Sequence, residues 1–213
     1  MRPFRDPLSA RLAAALALAM IMMGAACRNA PTRSAETAAP PMKESLQAGY
    51  YPLGLGNSWT FRCSVEGQFR FEKTLSLTSE TVTGDTRFFR AELTRSGDNT
   101  PFNYYLFRAA DGTVFKAPGP NRESAEPLVG SDMKVGEKVG NFTAAAMEKT
   151  STPATNELEA IRLENFSQAD PNVAADKRLE WLGRSYAKGV GPLVEADGLG
   201  GECVLVRYKL AGK

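Results

Sequence analysis

The chain has 213 residues, of which 43% are hydrophobic and 23% charged, which is typical of one globular domain with a short extension. The net charge is +2, and this surplus lies in residues 1–26, where Arg2, Arg5 and Arg11 outnumber Asp6. The rest of the chain is neutral and has no basic stripe, which argues against nucleic acid as a partner. Histidine is absent, which excludes Ser-His-Asp and Cys-His catalytic sites and imidazole metal sites.

The first 26 residues have the pattern of an export signal. Residues 1–11 are basic, and residues 12–26 form an unbroken apolar run of 15 residues. A membrane-spanning helix needs about 20 apolar residues, whereas this run suits the hydrophobic region of a secretory signal. We therefore predict a signal peptide over residues 1–26.

Small residues, Gly24, Ala25 and Ala26, directly precede Cys27, and the segment resembles the lipobox of bacterial lipoprotein signals. The resemblance implies that the chain is cut before Cys27 and that its sulfur carries acyl chains such as palmitate. Gly24 stands where the family prefers Leu. Asp after the cysteine favours the inner membrane in the best-known lipoproteins, so Arg28 favours the outer membrane, facing the periplasm. The alternatives are an ordinary signal that leaves a Cys27 thiol, or an uncleaved anchor helix.

Residues 27–48 are rich in Ala, Pro, Ser and Thr and lack aromatic residues. Such a composition does not form a packed core, so we predict a disordered tether that spans roughly 25 Å. The folded domain is then expected over residues 49–213.

Alternation of apolar and polar residues begins at Trp59 and predicts strands. Lys73 interrupts the apolar face of the second of these strands. The Asp111-Gly112 dipeptide is a hairpin signal. In the first half of the domain, strands are expected over residues 59–65, 69–77, 88–94, 104–108 and 113–116, with turns at 83–86 and 96–99.

The second half of the domain has a weaker pattern. Residues 117–127 are predicted to form a loop, and the stretch to residue 156 shows only a turn between short strands at 134–140. Residues 157–166 fit either a strand or a helix, and we favour a strand. Further strands are expected over 179–182, 192–196 and 202–210. Together these elements predict a mainly β domain with a single antiparallel curved sheet or half-barrel.

Two motifs bracket this domain, YYPLGLGNSWTF at residues 50–61 and YAKGVGPLV at residues 186–194. In order and spacing they resemble segments of a group of uncharacterised bacterial lipoproteins, YYPLxxGNxW and YAxGVGxxV. The resemblance implies a half-barrel antiparallel sheet exported on a lipid anchor, and it implies no particular activity.

The residue types within these motifs favour a structural role. Gly54, Gly56, Gly189 and Gly191 permit positive φ or close backbone approach, and Trp59 is a large core anchor. The alternative is that the glycines hold a ligand. No Gly-Lys-Ser/Thr sequence follows, so a phosphate loop is not supported.

Cys63 and Cys203 lie in the first and last strong strands, which are neighbours if the sheet closes. A disulfide between them is plausible in an oxidising compartment, and two unpaired thiols are the alternative. Alternation in the last strand assigns Val204 and Val206, rather than Cys203, to the more apolar face. That phase argues against a pair directed into the core.

Other side chains offer weaker signals. Phe88-Phe89 and Tyr104-Tyr105 are expected to place one aromatic ring in the core and the other on an exposed edge. Glutamates and an aspartate provide candidate acid/base pairs, although the pattern favours solvated polar faces; they are Glu157, Glu159, Glu164, Asp197 and Glu202.

The sequence favours a non-enzymatic, membrane-anchored periplasmic module that binds an apolar ligand, such as a lipid, or an envelope protein. No motif predicts a cofactor or a metal. A structural accessory of an envelope complex is the alternative. A third hypothesis is a carboxylate-dependent hydrolase, which requires two carboxylates about 5–10 Å apart in a concave site.

Overall fold

The computed structural model describes residues 49–168, 179–196 and 201–212. The predicted signal peptide, the tether and Cys27 lie outside these ranges. Across them, no helix has the length and apolar character that crossing a bilayer requires. The described residues form twelve strands: β1 Ser58–Val65, β2 Gln68–Thr83, β3 Thr86–Arg95, β4 Phe102–Arg108, β5 Val114–Ala117, β6 Glu126–Val129, β7 Lys138–Val139, β8 Phe142–Thr152, β9 Thr155–Gln168, β10 Leu179–Ala187, β11 Gly191–Ala196 and β12 Gly201–Lys209.

All twelve strands belong to one antiparallel sheet, in the order β6-β5-β4-β3-β2-β1-β12-β11-β10-β9-β8-β7. The chain therefore winds outward from β1 to one edge and returns from the other edge to β12. The two edge strands, β6 and β7, contact each other, so the sheet is nearly closed. The prediction of a mainly β domain with one curved antiparallel sheet is confirmed.

The core lies on the inner face of this curved sheet. Trp59 and Phe61 of β1, Leu163 of β9 and Leu205 of β12 are each no more than 1% exposed. Burying a side chain of this kind contributes about 1.5–3 kcal/mol. Both halves of the sheet thus supply the same core, which holds them together.

Part of the outer face of β3 to β5 is also buried, contrary to the expectation that one ring of the Phe88-Phe89 pair is exposed there. Phe89 faces the main core, whereas Phe88 packs with Phe107 and Ala117 in a second cluster on the opposite face. Ala125, from the loop between β5 and β6, packs against this second cluster. The prediction failed at Phe88 because a loop covers a face that period-two alternation assigns to solvent.

Strand β8 is longer than the weak sequence pattern suggested. It contains the run Ala144-Ala145-Ala146, and alanine has a low strand propensity. Its pairing with β9, which begins at Thr143↔Glu164, outweighs that propensity. The neighbouring residues 157–166 form part of β9, so the preference for a strand there is confirmed.

Candidate functional site

The two sequence motifs meet in the structure. The Trp59 indole Nε1 donates a hydrogen bond of 2.7 Å to the carbonyl of Val190. Gly191 lies under the same indole, and a Cβ on it would be 2.8 Å from Nε1. The Gly189 N–H donates a hydrogen bond of 2.9 Å to the carbonyl of Gly49. The space that Gly191 leaves is filled by the protein itself, which favours a structural role for this glycine.

Asn57, also in the first motif, is fully buried and ties the start of the domain to its end. Its Nδ2 donates to the Pro52 carbonyl at 3.1 Å, and its Oδ1 accepts from the Ala211 N–H at 2.7 Å. A Cβ on Gly54 would be 3.3 Å from this side-chain amide. Glycine is thus favoured at position 54 because the Asn57 amide approaches its backbone closely, and not because of a positive φ.

Cys63 and Cys203 are directly opposed in the β1–β12 ladder and form a disulfide. The two strands pair in the middle of the sheet and not through its closure, which involves β6 and β7. The phase assigned to β12 from alternation was wrong, because Leu205, on the same face as Cys203, is fully buried. A register shift at Phe61↔Leu205 changes the phase of the strand beyond this point.

Two adjoining cavities on the inner face, which we call the groove, are the candidate site. The first cavity has a volume of about 290 Å³ and includes the disulfide and Phe71 in its wall. The second has a volume of about 160 Å³, and aromatic and aliphatic residues line it together with charged ones. The cavities share three charged side chains, Lys73, Arg184 and Glu195. Cavities of this type, with apolar walls and a few convergent polar groups, are the usual form of small-molecule sites.

The three shared side chains come from both halves of the sheet. Lys73 of β2 forms an ion pair with Glu195 of β11, and its ammonium nitrogen lies 5.3 Å from the centre of the Phe61 ring. Arg184 of β10 is directly opposite Glu195 in the β10–β11 ladder. Its guanidinium lies 4.5 Å from the centre of the Phe142 ring. Stacking on an aromatic ring holds the plane of a guanidinium.

Three tyrosines, Tyr51, Tyr104 and Tyr186, line the second cavity. Burial raises the pKa of each of them, and the pKa of Tyr186 reaches about 12. Burial alone lowers the pKa of Arg184, but Tyr186 and Glu195 offset it, so the net direction is upward. At neutral pH the groove therefore presents neutral hydroxyl groups beside a charged guanidinium.

Sequence reasoning missed the charged centre of the groove, although two of its three members interrupt a series of alternating apolar residues. Lys73 lies between Phe71 and Leu75 at alternate positions, and this interruption was visible in the sequence. Arg184 likewise stands between Leu182 and Tyr186. The sequence signal for such a site is the occurrence, in more than one strand, of a charged residue on the otherwise apolar face.

The candidate carboxylates do not converge in the same way. Glu157 is ion-paired with Lys149, and Glu164 with Arg162. Glu202 touches the first cavity but is exposed and adjoins Cys203 along the strand. Asp197 lies outside the described residues. Within the described residues no group of three or more potential metal ligands is present.

The fold is similar to that of two solved structures. One is a putative exported protein with YmcC-like fold from Bacteroides fragilis, with a TM-score of 0.54 and 13% identity, covering 76% of this chain and 100% of that chain. The other is a putative lipoprotein from Parabacteroides distasonis, with a TM-score of 0.53 and 11% identity, covering 76% of this chain and 99% of that chain. No family model matches the chain, and no curated protein matches it. At these identities the similarity shows the fold alone.

Proposed function

We propose that the protein is an exported lipoprotein, anchored by acylated Cys27 in the outer membrane, whose domain binds an apolar ligand in the periplasm without enzymatic activity. The export signal, the lipobox resemblance and the two similar folds, one of a putative exported protein and one of a putative lipoprotein, support the anchored location. Two or more acyl chains hold a protein stably on a bilayer.

The groove is the observation that carries the binding function. Its walls combine aromatic and aliphatic side chains from both halves of the sheet, and its volume suits a small ligand. Glu195 is held in an ion pair with Lys73, so its carboxylate already has a charged partner within the groove. This arrangement supports binding in preference to acid/base chemistry.

The anchor is tested by replacing Cys27 with Ser and following the protein through membrane fractionation and intact-mass measurement. We expect the variant to lose both the acyl mass increment and its membrane association. The matched control is Arg28→Asp, which we expect to keep the acyl mass but shift the protein from the outer to the inner membrane. Retention of Cys27→Ser with the membrane at the acylated mass contradicts the anchor.

The groove is tested by titrating the Cys27→Ser chain with N-phenyl-1-naphthylamine, a neutral apolar dye that fluoresces on binding. Leu182 lines the first cavity and is half-buried, so Leu182→Trp fills space that the dye needs. We expect this variant to bind the dye more weakly than the parent. Val82→Trp, at an exposed position outside the groove, is the matched control. Equal affinities in the two variants contradict the proposal.

A further inference from the structure

The side chains that line the groove carry more positive than negative charge. The cationic side chains that line it are Lys73 and Arg184 at its centre and Lys116 in the second cavity. Glu195 is the central anion, and Glu202, the other described carboxylate in the lining, is exposed to solvent. The centre of the groove thus carries two positive charges against one negative charge.

Arg184 is the cation that this balance leaves for a ligand, although Tyr186 and Glu195 also stabilise its charge. The Glu195 carboxylate already forms an ion pair with Lys73. Among the described residues, no carboxylate lies within ion-pairing distance of Arg184. A largely buried guanidinium attracts an anion more strongly than an exposed one, because solvent screens it less. Its planar set of donors also suits a carboxylate or a phosphate oxygen pair.

The residues around Arg184 indicate the polarity and size of the rest of the ligand. Leu182 and Phe71 in the first cavity and Phe61 and Leu75 in the second provide apolar walls on either side of the charged centre. The first cavity, at about 290 Å³, lies near the lower end of the usual range for small-molecule sites, ~300–1,000 Å³, so it suits a small ligand.

We propose that the groove selects small amphipathic anions, in which a carboxylate or a similar anionic group contacts Arg184 and a short acyl or aromatic body fills the first cavity. This inference rests on the proposed function and adds a charge preference to it. The groove distinguishes an anionic ligand from a neutral one of the same shape.

The test compares octanoate with octan-1-ol and octylammonium as competitors of N-phenyl-1-naphthylamine on the Cys27→Ser chain. Hydrogen bonds to charged groups are stronger than neutral ones, so we expect octanoate to bind about tenfold more tightly than octan-1-ol. Octylammonium is expected to be the weakest competitor. Octanoate that competes no better than octan-1-ol overturns the inference and leaves the proposed function standing, whereas absence of dye binding refutes the proposed function itself.

Two variants of the charged centre move the octanoate-to-octanol affinity ratio in opposite directions. Arg184→Gln removes the recognising cation, and we expect the ratio to fall to about one. Glu195→Gln removes the anion that neutralises Lys73, and we expect the ratio to rise. Lys209→Gln makes the same change in net charge as Arg184→Gln at an exposed position on β12, and it should leave the ratio unchanged. If Arg184→Gln does not fold, a ratio that fails to rise in Glu195→Gln still refutes the inference.

Discussion

Replacing Gly191 with Ala tests whether the contact between the two motifs holds the halves of the sheet together. Gly191 has a φ of +108°, which L side chains rarely adopt. A Cβ there would also lie 2.8 Å from Trp59 Nε1 and 3.1 Å from Cε2. The indole has little room to retreat, because it is fully buried and its N–H is hydrogen-bonded to Val190.

The expected cost has two separate parts. Forcing Ala into a positive-φ conformation costs about 1–2 kcal/mol. Pushing the methyl group into a packed indole adds about 1–3 kcal/mol, the usual cost of overpacking a core. Gly56 isolates the first part, because its φ is +87° and nothing lies within 4 Å of the position of its Cβ. Gly191→Ala should therefore exceed Gly56→Ala by the overpacking cost alone.

The assay is urea unfolding of both variants in the Cys27→Ser background, followed by tryptophan fluorescence. We expect Gly191→Ala to lower the free energy of unfolding by about 2–5 kcal/mol and Gly56→Ala by about 1–2 kcal/mol. Equal losses in the two variants would refute the claim that the close approach of Gly191 to Trp59 is structurally required.

Two further predictions concern the disulfide and the buried tyrosines. Cys63 and Cys203 close a loop with a sequence separation of 140, so reducing their bond should lower the free energy of unfolding by about 5 kcal/mol in the chain-entropy model; identical urea midpoints with and without reductant would contradict this. Burial raises the pKa of Tyr51, Tyr104 and Tyr186, so the folded state keeps protons that the unfolded state loses above about pH 10. The resulting stability is complete below that pH and falls as the pH rises through the pKa values of the folded state, the pKa of Tyr186 being about 12. Tyrosinate absorbance measured in parallel with urea unfolding checks this prediction. Full ionisation of the folded protein near pH 10 without loss of stability would count against it.

The sheet was predictable because most of its strands bury one face, and period-two alternation records that burial directly. The exceptions have specific causes. Strand β8 has an alanine run and is stabilised by pairing with β9, a long-range interaction that local propensity does not report. The phase of β12 was misassigned because a register shift at Phe61↔Leu205 changes which residues face inward, and no single residue type marks that bulge.

The candidate site was less predictable than the fold, because a groove depends on which strands become neighbours. The interruption at Lys73 was visible, but its partner Glu195 is 122 residues away along the chain. Arg184 and Glu195 become neighbours only through the β10–β11 register. A charged residue on the apolar face of a strand indicates that a partner stabilises its charge, but the sequence does not identify that partner.

The groove and the centre of the sheet both depend on the pairing of β1 with β12. The disulfide joins β1 to β12, and the Lys73–Glu195 ion pair joins the flanking strands β2 and β11. Both connect the first half of the chain to the second across the β1–β12 junction, which forms one wall of the groove. A ligand that binds here contacts both halves, and any ligand that binds only the folded state stabilises it by mass action. Ligand binding is therefore linked to the stability of the contact between the two halves. A ligand that occupies the groove should raise the urea midpoint of the chain. Substitutions that weaken the β1–β12 junction should weaken ligand binding even where they alter no lining residue.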